Sequence, residues 1–205
     1  LDLWFETVVK KQCRGMVYLC RFADDFVCLF EFKTDADQFY DMLPKRLQKF
    51  NLQLAMEKTN LISFSRFPES EGSSFEFLGF EYRWGTSRKG KKIVLLRTSS
   101  KKFRLALARF TEWIRENRSK RVRRLMKTVN SKLRGHYNYY GVINNFESID
   151  KYYKQVRQIL FKWLNRRSQR KSFNWDQFDA LLIRHNMEKP RITQRDNRQV
   201  NFEFI

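Results

Sequence analysis

The sequence predicts an α+β fold in two parts: an antiparallel sheet backed by helices over residues 1–96, then a basic three- to four-helix bundle over 97–205. Three observations predict it. The first part alternates short apolar runs with tight polar turns, whereas the second carries long apolar stripes at helical spacing. The charge divides along the same line. Residues 1–85 hold 11 Lys+Arg and 13 Asp+Glu, a net of −2, and residues 86–205 hold 31 and 9, a net of +22. Gly85 to Gly90 is a polar, glycine-bounded stretch that reads as the turn between them.

In chain order, Leu3, Trp4, Val8 and Val9 fall on one face at helical spacing, which predicts a short amphipathic helix over 2–12. Two strand-like apolar runs, Met16 to Phe22 and Phe26 to Phe30, flank Ala23-Asp24-Asp25 and predict a β-hairpin of buried-type strands. A helix follows, with Thr34 to Asp37 as its capping stretch and Phe39, Leu43, Leu47 and Phe50 on one face; Pro44 is a point where it would kink. Short strands are expected at 52–54, 61–64, 75–82 and 93–96. Beyond them, Phe103, Leu107, Phe110 and Ile114 form one apolar stripe. Val122, Leu125, Val129 and Leu133 form a second, and Ile149, Tyr152, Val156, Leu160 and Trp163 a third. A shorter helix over Trp175–Arg184 is capped by Asn174. The faces away from these stripes carry the basic residues.

A formal charge of +20 on 205 residues repels itself and points to a polyanionic partner. Cys13, Cys20 and Cys28 are odd in number and not closely paired, so neither a disulfide framework nor a zinc knuckle follows; Cys20 and Cys28, within apolar runs, read as core residues. No stretch reaches the ~20 apolar residues of a membrane-spanning helix, and no secretory signal is visible. The expected setting is reducing and cytoplasmic, associated with nucleoid or RNA. The opening residues read as the middle of an element, so a preceding portion is expected, cut away or on another chain.

Asp24 and Asp25 are adjacent carboxylates at the tip of an apolar hairpin. Such a pair is either an ordinary Asp-rich turn or a platform for a hard divalent ion, and two-metal phosphoryl transfer needs a rigid platform of that kind. Tyr137, Tyr139 and Tyr140, beside Arg134 and His136, are read either as helix packing or as plates for unpaired bases.

Arg21 to Val27, with Phe22-Ala23-Asp24-Asp25 at its centre, resembles the Y/F-A-D-D signature (motif C) of group II intron reverse transcriptases. Met56 to Leu61 resembles their motif D, P-E-K-T-x-L, and Phe75 to Phe80 their F-x-F-L-G-F primer grip. Lys132 to Gly141 and Phe161 to Gln169 resemble the thumb, or maturase X domain. The motifs follow the family's order over nearly the whole chain.

The resemblance implies the C-terminal part of a polymerase palm over 1–96 and a thumb over 97–205. It implies that Asp24, with Asp25 beside it, is a catalytic ligand of Mg²⁺ in a two-metal site, and that Lys58 is a general acid toward pyrophosphate. Phe77, Leu78 and Gly79 would place the primer end. Lys101, Lys102, Arg121, Arg124, Lys127, Arg134, His136, Tyr137, Lys162, Arg166, Arg167 and Arg170 would contact nucleic acid. Expected partners are intron RNA, an RNA template with DNA or RNA primer, deoxynucleoside triphosphates and the missing fingers and palm portion, with no membrane. The function implied is RNA-directed DNA polymerisation coupled to intron RNA binding in splicing and mobility. Phe22 stands where Tyr is commoner and Met56 where Pro is frequent. The family's other metal-binding Asp, in motif A, has no counterpart before Asp24, because Asp2 lies in the predicted helix. The span is therefore expected to be inactive alone, its metal site completed from outside. The competing expectations are a non-catalytic RNA-binding maturase and a related reverse transcriptase serving a defence system.

Overall fold

In a computed structural model, which describes residues 1–66, 73–87, 89–167 and 172–194, the chain divides into two units, Leu1–Leu78 and Gly79–Ile205. The division falls earlier than residue 96, so the strands that follow Leu78 belong with the helices rather than with the first hairpin.

The first unit opens on a helix in three segments: α1 (Asp2–Trp4), a π-helical turn (Phe5–Val9) and α2 (Lys10–Gln12). Its buried face differs from the expected one. Phe5 and Val9, four residues apart on one helical face, are buried with Trp4 against them, whereas Leu3 and Val8 are exposed. Strands β1 (Val17–Phe22) and β2 (Asp25–Phe30) form the antiparallel hairpin, in a register from Val17 opposite Phe30 to Phe22 opposite Asp25. The strands are not fully buried: Val17 is in the core, whereas Tyr18, Phe22 and Leu29 are exposed. Cys20 is exposed too, while Cys13 and Cys28 pack against the core, where burial pushes the Cys28 thiol up to about 12.

Helix α3 (Lys33–Gln48) starts at an extended Phe32 rather than at Thr34, and it runs on through Pro44. Asp35, in its first turn, is buried and accepts hydrogen bonds from the N–H groups of Arg14 (2.9 Å) and Gly15 (3.3 Å), which ties the loop before β1 to the helix. Phe39 and Leu43 complete the core with Phe5, Val9 and Val17; Phe39 touches Trp4, Phe5 and Phe30 ring to ring. Phe50, expected on that face, lies outside under the Arg46 guanidinium. The strands expected at 52–54 and 61–64 do not form. That segment is irregular around one 3-10 turn, Met56–Lys58, with Leu54 alone anchored on the core. β3 (Ser74–Phe77) ends the unit.

The strand expected over 75–82 is broken at Leu78 and Gly79, both at positive φ (50° and 79°). The second unit begins there with β4 (Phe80–Thr86) and β5 (Lys92–Thr98), an antiparallel pair with Phe80 opposite Thr98. Four helices follow: α4 (Ser100–Asn117), α5 (Val122–Tyr140), α6 (Phe146–Leu164) and α7 (Trp175–Arg184). The predicted stripes are their core faces, since Phe110, Ile114, Leu125, Val129, Leu133, Ile149, Tyr152, Val156 and Leu160 are buried together. α7 begins where its cap predicted, with a reciprocal capping box between Asn174 and Gln177. Asn145, almost fully buried, joins strand to helices: its side chain bonds the N–H and hydroxyl of Thr98 and the carbonyl of Tyr140.

Candidate functional site

The first candidate centre is the β1–β2 turn. The ladder closes at Phe22 opposite Asp25, so Ala23 and Asp24 form a two-residue loop and Asp25 opens β2. Ala23 holds φ at 53°, a left-handed conformation that two-residue hairpin loops need and that glycine usually supplies. Both carboxylates are exposed. Arg21 sets the local charge. Its guanidinium grips Asp2 with two bonds, 2.7 and 2.5 Å, and donates a third to the Ala23 carbonyl at 3.0 Å. That hydrogen bond holds the Asp2 carboxyl below its usual range and raises the Arg21 guanidinium. Arg21 therefore braces the turn without covering Asp24 or Asp25. Neither Arg21 nor Asp2 stood out in the sequence as a pair, because nineteen residues separate them and only the fold makes them neighbours.

Lys58 is exposed at the end of the 3-10 turn, its N–H bonded to the Ala55 carbonyl at 2.9 Å. Among the described residues no ion pair joins Lys58 to Asp24 or Asp25. Phe77 and Leu78 are half-buried. Gly79 is required by its own unit: a Cβ there would meet the Tyr140 hydroxyl at 3.1 Å, on backbone that side chains rarely adopt.

The second candidate is the polar exterior of the helices. Lys101, Lys102, Arg121, Arg124, Lys127 and Lys162 are exposed, and α5 contains five basic residues and no acidic one. Arg134 is exposed as well but engages Glu188 at 2.6 Å. Arg166 lies over the Trp163 ring, and Arg167 donates to the Ser119 and Lys120 carbonyls. Arg170 lies outside the described residues. Two expected contact residues face the wrong way. Tyr137 is 0% exposed, its hydroxyl donating to the Glu188 carbonyl at 3.3 Å, so it packs rather than stacks on bases. His136 lies flat against Tyr152, ring centroids 3.7 Å apart, and burial lowers its pKa to about 4. Both positions extend the Leu125, Val129, Leu133 stripe by further helical turns, which is the signal that places them inward. Tyr139 is the exposed tyrosine of the three, its ring stacked on Phe80.

A family model described as reverse transcriptase (RNA-dependent DNA polymerase) matches residues 4–82, and one described as the group II intron maturase-specific domain matches residues 103–178. The chain belongs to the group II intron reverse transcriptase/maturase family. No match was found among individual curated proteins. An intron-encoded reverse transcriptase/maturase acts in splicing and mobility, and its partners are nucleic acids, RNA among them. The reverse-transcriptase match contains the Asp24–Asp25 turn, Lys58 and Phe77 to Gly79. The maturase-specific match contains α5, α6 and the start of α7. No helix among the described residues is long and apolar enough to cross a membrane.

Proposed function

We propose that Asp24 and Asp25 form one carboxylate wall of a Mg²⁺ site for RNA-templated DNA synthesis, the other donors coming from outside these residues. The observation that carries this reading is the placement of Arg21. The Arg21 guanidinium binds Asp2 and the Ala23 carbonyl and attracts Asp24 only through space, leaving the oxygens of Asp24 and Asp25 without an ion pair or hydrogen bond among the described residues. Unpaired hard oxygen donors on a rigid two-residue loop suit Mg²⁺, which keeps waters and takes substrate phosphates beside one or two carboxylates. Two carboxylates are not a full site, and no cluster of three or more His, Cys, Asp or Glu occurs among the described residues.

When bound, the metal supplies neutralisation of charge on the attacking and leaving oxygens. The chain's own residues do the rest. Asp24 presents its carboxylate from the loop, fixed by the ladder and by Arg21. Lys58 delivers a proton toward departing pyrophosphate from a deoxynucleoside triphosphate, and Phe77, Leu78 and Gly79 position the primer end. The cationic exteriors of α4, α5 and α6 hold template–primer and intron RNA, with Lys101, Lys102, Arg121, Arg124, Lys127, Lys162 and Arg166 as the phosphate contacts. The division of labour follows 1–96 as palm and 97–205 as thumb.

Primer extension on an RNA template by the polymerase carrying this chain tests the reading. Asp24→Ala is expected to lower extension by about a hundredfold or more, since metal stabilisation of the transition state is worth several kcal/mol. Equal extension by both proteins would sink the metal assignment.

A further inference from the structure

At one end of the helical unit, two guanidinium groups share a single indole. Arg118 closes α4 and its Cζ lies 5.2 Å from the Trp163 ring centroid; Arg166, just past α6, lies 5.5 Å from the same ring. Each contact alone is an ordinary cation–π attraction. Together they gather two like charges around one ring, an arrangement that repels itself unless an anion is present. None is supplied among the described residues. Arg97, Arg134 and Arg157 in this unit have carboxylate partners in Glu81, Glu188 and Asp179. Among the described residues Arg118 and Arg166 have none, and neither do Lys120, Arg121 or Lys162, their near neighbours in sequence.

The cluster is also built rather than loose. Arg167 donates to the carbonyls of Ser119 and Lys120, tying the end of α6 to the α4–α5 turn that carries Lys120 and Arg121. A guanidinium held over an aromatic ring keeps its N–H donors directed away from it, and those donors match phosphate oxygens.

We propose that Arg118 and Arg166, arranged by Trp163, form a binding site for backbone phosphates of an RNA strand. Lys120, Arg121 and Lys162 contribute the surrounding field. The proposal rests on the reading that the helical unit binds nucleic acid, and it assigns that binding an anchoring point that includes Arg118.

RNA binding by the whole chain, measured across salt concentrations, tests it. Arg118→Gln with Arg166→Gln is expected to weaken binding by about tenfold at low salt and to flatten the slope of log affinity against log salt by about 1.5 to 2. Lys11→Gln with Lys49→Gln, the same charge change in the first unit, is expected to leave the slope unchanged. A slope unchanged in the arginine variant, with RNA still bound in a salt-sensitive way, overturns the site and leaves the broader reading standing. Failure of the unaltered chain to bind RNA overturns both. A readout that needs no variant is the Nε resonance of Arg118 and Arg166 in the unaltered protein. Both are expected to shift on adding RNA and not on adding inorganic phosphate at the same total phosphate. No shift with RNA, or the same shift with inorganic phosphate, overturns a site for the strand.

Discussion

His136 is a titratable side chain spent on packing. Its ring lies against Tyr152 and 4.8 Å from Tyr140, and its Nε2 is buried with no hydrogen-bond partner among the described residues. Charging the ring there would place an unpaired cation among tyrosines, which is why burial takes its pKa to about 4. The consequence for stability has a definite sign. The unfolded chain takes up the proton as pH falls through about 6.5, and the folded chain does so only near 4. Stability contributed by the neutral ring is therefore complete above about pH 6.5 and is lost as pH falls toward 4, by roughly 2–3 kcal/mol at most. Melting temperatures from pH 7 to pH 4 should fall more steeply for the unaltered chain than for His136→Phe, which keeps a ring to stack on Tyr152. Parallel curves would show that another group governs acid sensitivity.

At the scale of elements, α5 shows what a sequence pattern tells and what it leaves out. The stripe Leu125, Val129, Leu133 marks its inward face, and the same spacing carried one turn further reaches Tyr137, which settles the choice between packing and base contact in favour of packing. Neighbours in sequence on a helix point in different directions, so a contact role implied by resemblance for Arg134, His136 and Tyr137 together does not hold for Tyr137 and His136. α7 was legible to its ends because Asn174 and Gln177 encode the start locally. The segment 52–64 was not, because strand formation depends on a ladder partner that no local pattern names. Gly135 in α5 has a separate meaning: a Cβ there would meet nothing within 4 Å. Packing does not demand this glycine, so Gly135→Ala should stabilise the chain by about 1 kcal/mol through helix propensity alone. Chemical denaturation reads the change, and a destabilised variant would mean that α5 is bent or crowded at that point.

For the whole molecule, charge is the dominant property. A chain at +20 stores self-repulsion, most of it in residues 86–205. Screening should relieve it: raising ionic strength from 0.01 to 0.1 M shortens the Debye length from about 30 to about 10 Å. The melting temperature is therefore expected to rise over that range. A fall would mean that ion pairs such as Arg134–Glu188 outweigh the repulsion. The sequence's charge asymmetry points to a polyanionic partner for the second half, and the two family matches fall at 4–82 and 103–178. The Asp24–Asp25 turn was equally legible as a hairpin tip, since Phe22 to Asp25 is a continuous motif. Its brace was not, because the Arg21–Asp2 pair depends on a helix folding back beside a hairpin.

The Asn145 bonds bear on how the protein can be cut. A fragment starting at residue 97 would leave behind most of β5 and all of β4, yet keep Asn145 and the Thr98 it holds. Thr98 would then be a loose chain end, and a buried amide that now fastens strand to helices would fasten only a frayed terminus. A fragment starting at Gly79 keeps the hairpin, the Thr98 anchor and the four helices as one piece. The fragment boundary is therefore better set by that asparagine than by the start of the first long helix.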